Sequence, residues 1–223
     1  MSVDPGAASS AWFASQMNIR SRQLLAQLDG NVGIITQSGA MQWTTGSIES
    51  SIGVKSAGGL AKKLISGKMT GESAIKPEYK GKGVLVLEPT YKHILLEDIS
   101  AWDGGIVLED GMFLACESTL SQKVIARSSF TAAVAGGEGL FNLALTGYGI
   151  AALESRYPRQ ELIEIELEND ILKIDGNYAV AWSAALSFNV ERSSKSLIGS
   201  AVNGEGLVNV YRGTGKVLMA PVR

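Results

Sequence analysis

Short apolar runs interrupted by glycine recur along this chain in three segments of similar length. The clearest recurring pattern is Gly-x-Gly, whose successive copies lie 66 residues apart. Its glycines are Gly81 and Gly83, Gly147 and Gly149, and Gly213 and Gly215. Self-similarity at a fixed spacing is typical of tandem structural repeats. We therefore predict three β repeats, here called repeat 1 (18–90), repeat 2 (91–155) and repeat 3 (156–223), after a flexible N-terminal tail (1–17).

Each repeat opens with two apolar runs around a turn-forming pair. These pairs are Ser38-Gly39, Asp110-Gly111 and Asp175-Gly176. Glycine accepts the positive φ of a tight turn, so the pattern predicts β-hairpins over 32–43, 106–117 and 171–182. Short helical patches that stop at Gly or Asn are predicted over 58–66, 129–136 and 196–203.

The remaining apolar runs predict strands. Residues 84–87, 150–153 and 216–219 close the three repeats and are too short, with glycine so near, to form helices. Residues 162–168 alternate with a period of two, which indicates a half-buried strand. Ile163, Ile165 and Leu167 occupy one face, and Glu164, Glu166 and Glu168 occupy the other. The chain is therefore predicted to be all-β, with few short helices.

Four runs resemble the altered-inheritance-of-mitochondria protein twenty-four family: SGAMQW, GGLAKKLISGKMTGES, GGEGLFNLALTGYG and NGEGLVNVYRGTGKV. The resemblance covers about residues 18–221, although repeat 1 reads GESAIKP where the others read GEGL. It implies three tandem β-sandwich units similar to the tryptophan RNA-binding attenuation protein, a short variant of the double-stranded β-helix. It also implies homotrimers that form a nine-unit ring, and it supplies no catalytic residues.

Charge and cysteine content narrow the class of protein. The 20 basic and 22 acidic residues nearly cancel, which disfavours a protein dedicated to nucleic acid. A lysine-rich segment from Lys55 to Lys82 is the local exception. Cys116, the single cysteine, excludes a disulfide within the chain and a thiolate metal cage. With no apolar run long enough to span a membrane and no basic leader, we expect a soluble cytoplasmic protein.

Residues that recur in all three repeats are expected to serve the fold. The six glycines are interpreted as turn or bulge positions that need positive φ, because no phosphate-loop Lys-Ser/Thr follows any of them. A Gly-Glu pair also recurs, with its carboxylates at Glu72, Glu138 and Glu205. These are candidate ligand or interface groups, although local satisfaction of turn N–H groups is favoured.

The other chemically capable residues favour structural roles. His93 has no second imidazole or cysteine cluster beside it for zinc, and no nucleophile-elbow pattern. Cys116 is interpreted as a small buried hydrophobe. The Glu164, Glu166 and Glu168 face is interpreted as a solvated edge, with a cation site as the alternative. Trp43 and Trp182 are predicted to be packing residues at the same place in their repeats.

Three function classes remain open. A non-enzymatic scaffold ring is favoured, with no cofactor and with other copies of itself as partner, because no coherent catalytic set is present. An RNA- or small-ligand-binding ring is the alternative, although the overall charge predicts at most weak nucleic-acid binding. A hydrolase is least supported, since only Glu72, Glu138, Glu205 and His93 would serve it. Head-to-tail contacts between the end repeats would close the ring.

Overall fold

The computed structural model describes residues 21–52, 76–126, 141–192 and 207–222. Most of the described residues lie in β-strands, and these strands form two seven-stranded antiparallel sheets. The all-β prediction is confirmed. The predicted helical patches at 58–66, 129–136 and 196–203 lie outside the described residues, as do Glu72, Glu138 and Glu205.

The strands within these ranges are β1 (Leu25–Asp29), β2 (Ile34–Thr36), β3 (Met41–Ile52), β4 (Pro77–Leu87), β5 (His93–Asp98), β6 (Ile106–Leu108), β7 (Phe113–Glu117), β8 (Ser121–Ala126), β9 (Phe141–Thr146), β10 (Ile150–Ser155), β11 (Ile163–Asp175), β12 (Ala179–Ser183), β13 (Ser187–Arg192) and β14 (Leu207–Met219). Two 3₁₀ turns, Ile99–Ala101 and Arg159–Glu161, link strands. The predicted closing strands at 84–87, 150–153 and 216–219 are confirmed within β4, β10 and β14.

The first compact unit comprises the described parts of 1–99, 111–121 and 147–159. In its sheet, β3 borders one edge of β4, and β1 and β2 border the other; β7, β10 and β5 follow in that order. Burial of apolar side chains stabilises this unit. Its core residues are Leu24, Leu28, Tyr79, Leu85, Leu87, Leu114, Ala115 and Ala152.

The second compact unit comprises the described parts of 100–110, 122–146 and 160–223. Its sheet runs β8, β9, β6, β12, β14, β11, and β13 also pairs with β14. Three aromatic rings, those of Trp182, Phe188 and Tyr211, pack together in its core with centroids 5.1–5.5 Å apart. Such aromatic packing adds to the stabilisation from buried area.

The predicted hairpins are wrong, although the turns themselves form. Gly39, Gly111 and Gly176 have the expected positive φ. The strands on either side of each turn, however, pair with other strands. β2 lies between β4 and β7, β6 lies between β9 and β12, and β11 and β12 lie on opposite edges of β14. A turn sequence fixes a local reversal, but each strand pairs where its apolar face is best buried.

Candidate self-association edges

The three Gly-x-Gly patterns lie within or next to strands that have neighbouring strands on both sides: β4, β9 with β10, and β14. Within β4 and β14 the pattern sits inside a continuous strand, and only in repeat 2 does it separate two strands, β9 and β10. The prediction of a turn at each pattern is therefore corrected for repeats 1 and 3. All six glycines have positive φ, between 111° and 151°.

Close approach of a neighbouring strand requires the second glycine of each pattern. A Cβ atom on Gly83 would lie 1.9 Å from the Thr45 carbonyl oxygen, and one on Gly149 would lie 2.6 Å from Glu117 Oε2. That carboxylate accepts the backbone N–H of Ile150 at 2.8 Å. The second glycine therefore makes room for a group of the neighbouring strand, and in repeat 2 that group accepts the backbone N–H of the residue that follows the glycine.

Repeat 3 has the same arrangement with different chemistry. A Cβ atom on Gly215 would lie 2.6 Å from Ser183 Cβ, and Ser183 Oγ accepts the backbone N–H of Lys216 at 2.9 Å. Ser183 in repeat 3 thus occupies the place of Glu117 in repeat 2.

Strand register extends this correspondence across the chain. The residue two positions before each Gly-x-Gly pairs with β2 in repeat 1, β6 in repeat 2 and β11 in repeat 3. These pairs are Tyr79 with Ile34, Leu145 with Ile106, and Tyr211 with Leu172. A β-bulge recurs in the strands β3, β7 and β12, which pair with the residues after each Gly-x-Gly. In each case it lies opposite the third and fourth residues after the second glycine. The bulged residues are Gln42, Leu114 and Val180.

Repeats 1 and 2 meet through β2 and β7. Ile35 lies opposite Cys116, and backbone hydrogen bonds flank this pair on both sides. The Gln37 N–H donates to the Leu114 carbonyl at 3.0 Å, and the Ser118 N–H donates to the Gly33 carbonyl at 2.8 Å.

Repeats 2 and 3 meet in the same way through β6 and β12. Val107 lies opposite Trp182. The Glu109 N–H donates to the Val180 carbonyl at 2.9 Å, and the Ala184 N–H donates to the Gly105 carbonyl at 2.8 Å. Both junctions within the chain therefore use one register and one hydrogen-bond pattern.

The first half of β3 in repeat 1 corresponds to β7 and β12, but β3 borders only β4 in the described part of the chain. Residues 41–51 are exposed except for the half-buried Ile48. Met41 is 38% exposed and Trp43 is 41% exposed, whereas their counterparts Phe113 and Ala115 in repeat 2 are 0% and 1% exposed. Among the described strands, this edge of β3 therefore has no neighbour, and it exposes two large apolar side chains, Met41 and Trp43.

The second half of β11 in repeat 3 corresponds to β2 and β6, but β11 borders β14 alone among the described strands. Along its second half Ile171 is 51% exposed and Lys173 is exposed, while Ile174 is buried. Its first half carries the predicted alternation only in part: Leu167 is buried, Ile165 is half-buried and the glutamates at 164, 166 and 168 are exposed, but Ile163 is 47% exposed. We call β3 and β11 the free edges.

Register corrects the predicted equivalence of Trp43 and Trp182. Trp43 lies opposite Val86, three residues after Gly83, whereas Trp182 lies opposite Val217, two residues after Gly215. A shift of one residue moves a side chain to the other face of a strand. Trp182 is accordingly 3% exposed in the core and Trp43 lies at the free edge.

The other candidate residues are placed on separate strands. His93 begins β5 opposite Ser155, and Cys116 is buried in β7. Among the residues that the structure describes, no group of three metal-ligating side chains comes together. No helix found in those residues could span a membrane.

The exposed lysines of the lysine-rich segment lie opposite carboxylates. On β4, Lys80 lies opposite Glu49 of β3 and Lys82 lies opposite Asp29 of β1. Opposite charges on directly paired strand positions attract each other. Lys55, Lys62, Lys63 and Lys68 lie outside the described residues.

One charged pair has a defined effect on a pKa. Arg212 of β14 donates to Glu191 of β13 through Nη1 at 2.6 Å and Nη2 at 2.8 Å. These side-chain hydrogen bonds lower the pKa of the Glu191 carboxyl below the ordinary glutamate value. The pair joins β13 to β14 at the end of the sheet near the second half of β11.

Comparison with known proteins identifies the family. The sequence profile described as mitochondrial biogenesis AIM24 matches residues 15–222. The chain belongs to the AIM24 family. This is the family that its glycine-rich motifs resemble, so the resemblance is confirmed.

Two relatives are bacterial. An uncharacterized protein of Streptococcus pyogenes serotype M6 is 29% identical over 110 residues, which cover 49% of this chain and 43% of that protein. The match therefore spans less than half the length of that relative. The X-ray crystal structure of a Streptococcus pyogenes protein superposes with a TM-score of 0.63 at 23% identity, covering 92% of this chain and 91% of the other. This likeness supports the fold.

Proposed function

We propose that this AIM24-family chain is a non-enzymatic protein that assembles with copies of itself, head to tail, into a closed ring with a scaffolding role. Its three repeats act as tandem units similar to the tryptophan RNA-binding attenuation protein. The observation that carries the proposal is the exposure of Met41 and Trp43 where their counterparts in repeats 2 and 3 are buried. Among the described strands, repeat 1 has on that side no neighbour like the one that each later repeat has.

A series of identical junctions leaves one unmatched surface at each end. Because the junctions are head to tail, the two end surfaces complement each other, and such contacts either close into a ring or continue as a filament. Closure removes exposed strand edges, which otherwise favour aggregation. The resemblance to the nine-unit ring favours three chains.

Nucleic-acid binding is proposed to be weak at most. The formal net charge is −2, and Lys80 and Lys82 lie opposite carboxylates. Long-range attraction to phosphate is correspondingly small.

Sedimentation velocity of the wild-type protein over a wide concentration range tests the proposal. A closed ring gives one boundary of constant sedimentation coefficient at micromolar concentrations. A single-chain species, or a coefficient that keeps rising with concentration as a filament grows, would contradict it.

A further inference from the structure

From the register of the two junctions within the chain, we infer that the second half of β11 pairs antiparallel with the first half of β3 in a second copy, with Lys173 opposite Thr44 of that copy. This inference rests on the proposed self-assembly and specifies its contact. This pairing joins the sheet edge at β11 of one copy to the sheet edge at β3 of the next copy, so that the two form one continuous sheet.

The partner positions follow from correspondence between repeats. Lys173 lies opposite Val210, three residues before Gly213, as Ile35 lies opposite Glu78, three residues before Gly81. Thr44 lies opposite Leu85, two residues after Gly83, as Cys116 lies opposite Ala151, two residues after Gly149. Since Ile35 pairs with Cys116, Lys173 is matched to Thr44.

The same correspondence supplies the flanking hydrogen bonds. The bonds from Gln37 to Leu114 and from Glu109 to Val180 translate into the Asp175 N–H donating to the Gln42 carbonyl of the second copy. The bonds from Ser118 to Gly33 and from Ala184 to Gly105 translate into the Gly46 N–H of that copy donating to the Ile171 carbonyl. Hydrogen-bonded pairs alternate along an antiparallel ladder, so the N–H groups of Lys173 and Thr44 point across the contact.

Strand order supports the same result. Each junction within the chain lies at the centre of six strand segments, three from each repeat: β3, β4, β2, β7, β10 and β5 at one, and β8, β9, β6, β12, β14 and β11 at the other. Repeats 3 and 1 each supply three of the six strand segments of a third junction of this kind. One half is β13 with the first part of β14 and the second part of β11, and the other is the first part of β3 with the second part of β4 and β1.

Side chains at the contact fit this pairing. The match places Ile174 opposite Trp43, at positions filled by Thr36 and Ala115 in one junction and by Leu108 and Ala181 in the other. Those four residues are 0–1% exposed. Burial of the Trp43 ring against Ile174 supplies an apolar anchor, as is common at the centre of interfaces.

Disulfide cross-linking tests the register. Paired strand positions have Cα atoms about 4.5–5.5 Å apart, within disulfide range. Under mild oxidation, a chain carrying K173C and T44C should form a covalent ladder that ends at the native assembly size. The register-shifted control, K173C with T45C, points its thiols to opposite faces and should cross-link at least tenfold less. T44C alone should not cross-link, because a head-to-tail contact never brings two copies of one position together. Cys116 is buried and can remain in every variant.

Hydrogen exchange on the wild-type assembly provides a test without substitutions. The amides of Thr44 and Lys173 should exchange slowly, and should lose protection when the assembly is dissociated. Cross-linking of T44C alone, equal cross-linking of the shifted pair, or fast exchange at both amides in an intact oligomer would overturn the inferred contact while leaving self-assembly standing. A wild-type protein that stays a single chain would overturn both.

Discussion

Trp43 and Trp182 lie one register position apart in their repeats, and this single step separates a surface tryptophan from a core tryptophan. Trp182 packs against Phe188 and Tyr211 with ring centroids 5.5 Å and 5.4 Å away. Trp43, 41% exposed, lies on a free edge. Truncation of Trp182 is therefore expected to lower folding stability, and truncation of Trp43 is expected to weaken self-association.

Trp182→Ala is expected to destabilise the fold by about 3–5 kcal/mol, the usual loss for a large buried aromatic side chain. Trp43→Ala should leave the circular-dichroism spectrum unchanged but increase the fraction of dissociated chains on dilution. Urea unfolding and mass photometry of both variants provide the measurement. Equal losses of folding stability would contradict the separate roles.

Gly83→Ala is expected to prevent folding or cost well over 2 kcal/mol. Its Cβ would lie 1.9 Å from the Thr45 carbonyl oxygen at a φ of 151°, where nothing can move cheaply. Gly39→Ala is the matched control, because Gly39 also has positive φ but meets no atom within 4 Å. It should cost only about 1–2 kcal/mol, the left-handed backbone penalty. Chemical denaturation measures the free energy of unfolding of both variants. Equal losses would contradict the requirement for glycine at position 83, because they would mean that β3 can shift to accommodate the added Cβ atom.

The Glu191–Arg212 pair should give a small, pH-dependent contribution to stability. Because hydrogen bonds from Arg212 depress the Glu191 pKa, the contribution is complete above the ordinary glutamate value of about 4.3 and is lost as pH falls through the depressed value. Glu191→Gln should lower the urea midpoint slightly at pH 7, with the difference from wild type disappearing in acid. A difference that grows in acid would refute this sign.

RNA retention should be weak and strongly salt-dependent. At physiological ionic strength the wild-type protein should not bind single-stranded RNA at submicromolar concentration, because carboxylates lie opposite Lys80 and Lys82. Glu49→Gln, which removes one of these carboxylates, should modestly increase retention at low salt. Tight RNA binding that is lost with Lys80→Ala and Lys82→Ala would favour an RNA-binding ring instead.

The sequence predicted the elements of this fold better than their pairing. Alternation at 162–168 correctly placed a strand, because period two follows from strand geometry. Asp110-Gly111 correctly placed a turn, but its flanking strands β6 and β7 belong to different sheets, since long-range burial decides strand partners. The position of Trp43 was misjudged because repeat 3 has one more residue than repeat 1 between its turn glycine and the matching strand position. The free edges had no sequence signal, because they are defined only by having no neighbour among the described strands.

Native mass spectrometry tests self-assembly through β3 and β11 most directly. Thr44→Pro removes the N–H inferred to cross the contact, and proline is tolerated on an edge strand when that N–H faces away from the sheet. Thr44→Ala keeps the N–H and serves as the control. Wild type and Thr44→Ala should each give one species at three times the 23.5 kDa chain mass, and Thr44→Pro should give single chains. A wild-type protein that is monomeric at micromolar concentration, or a Thr44→Pro variant that assembles as fully as wild type, would contradict the account.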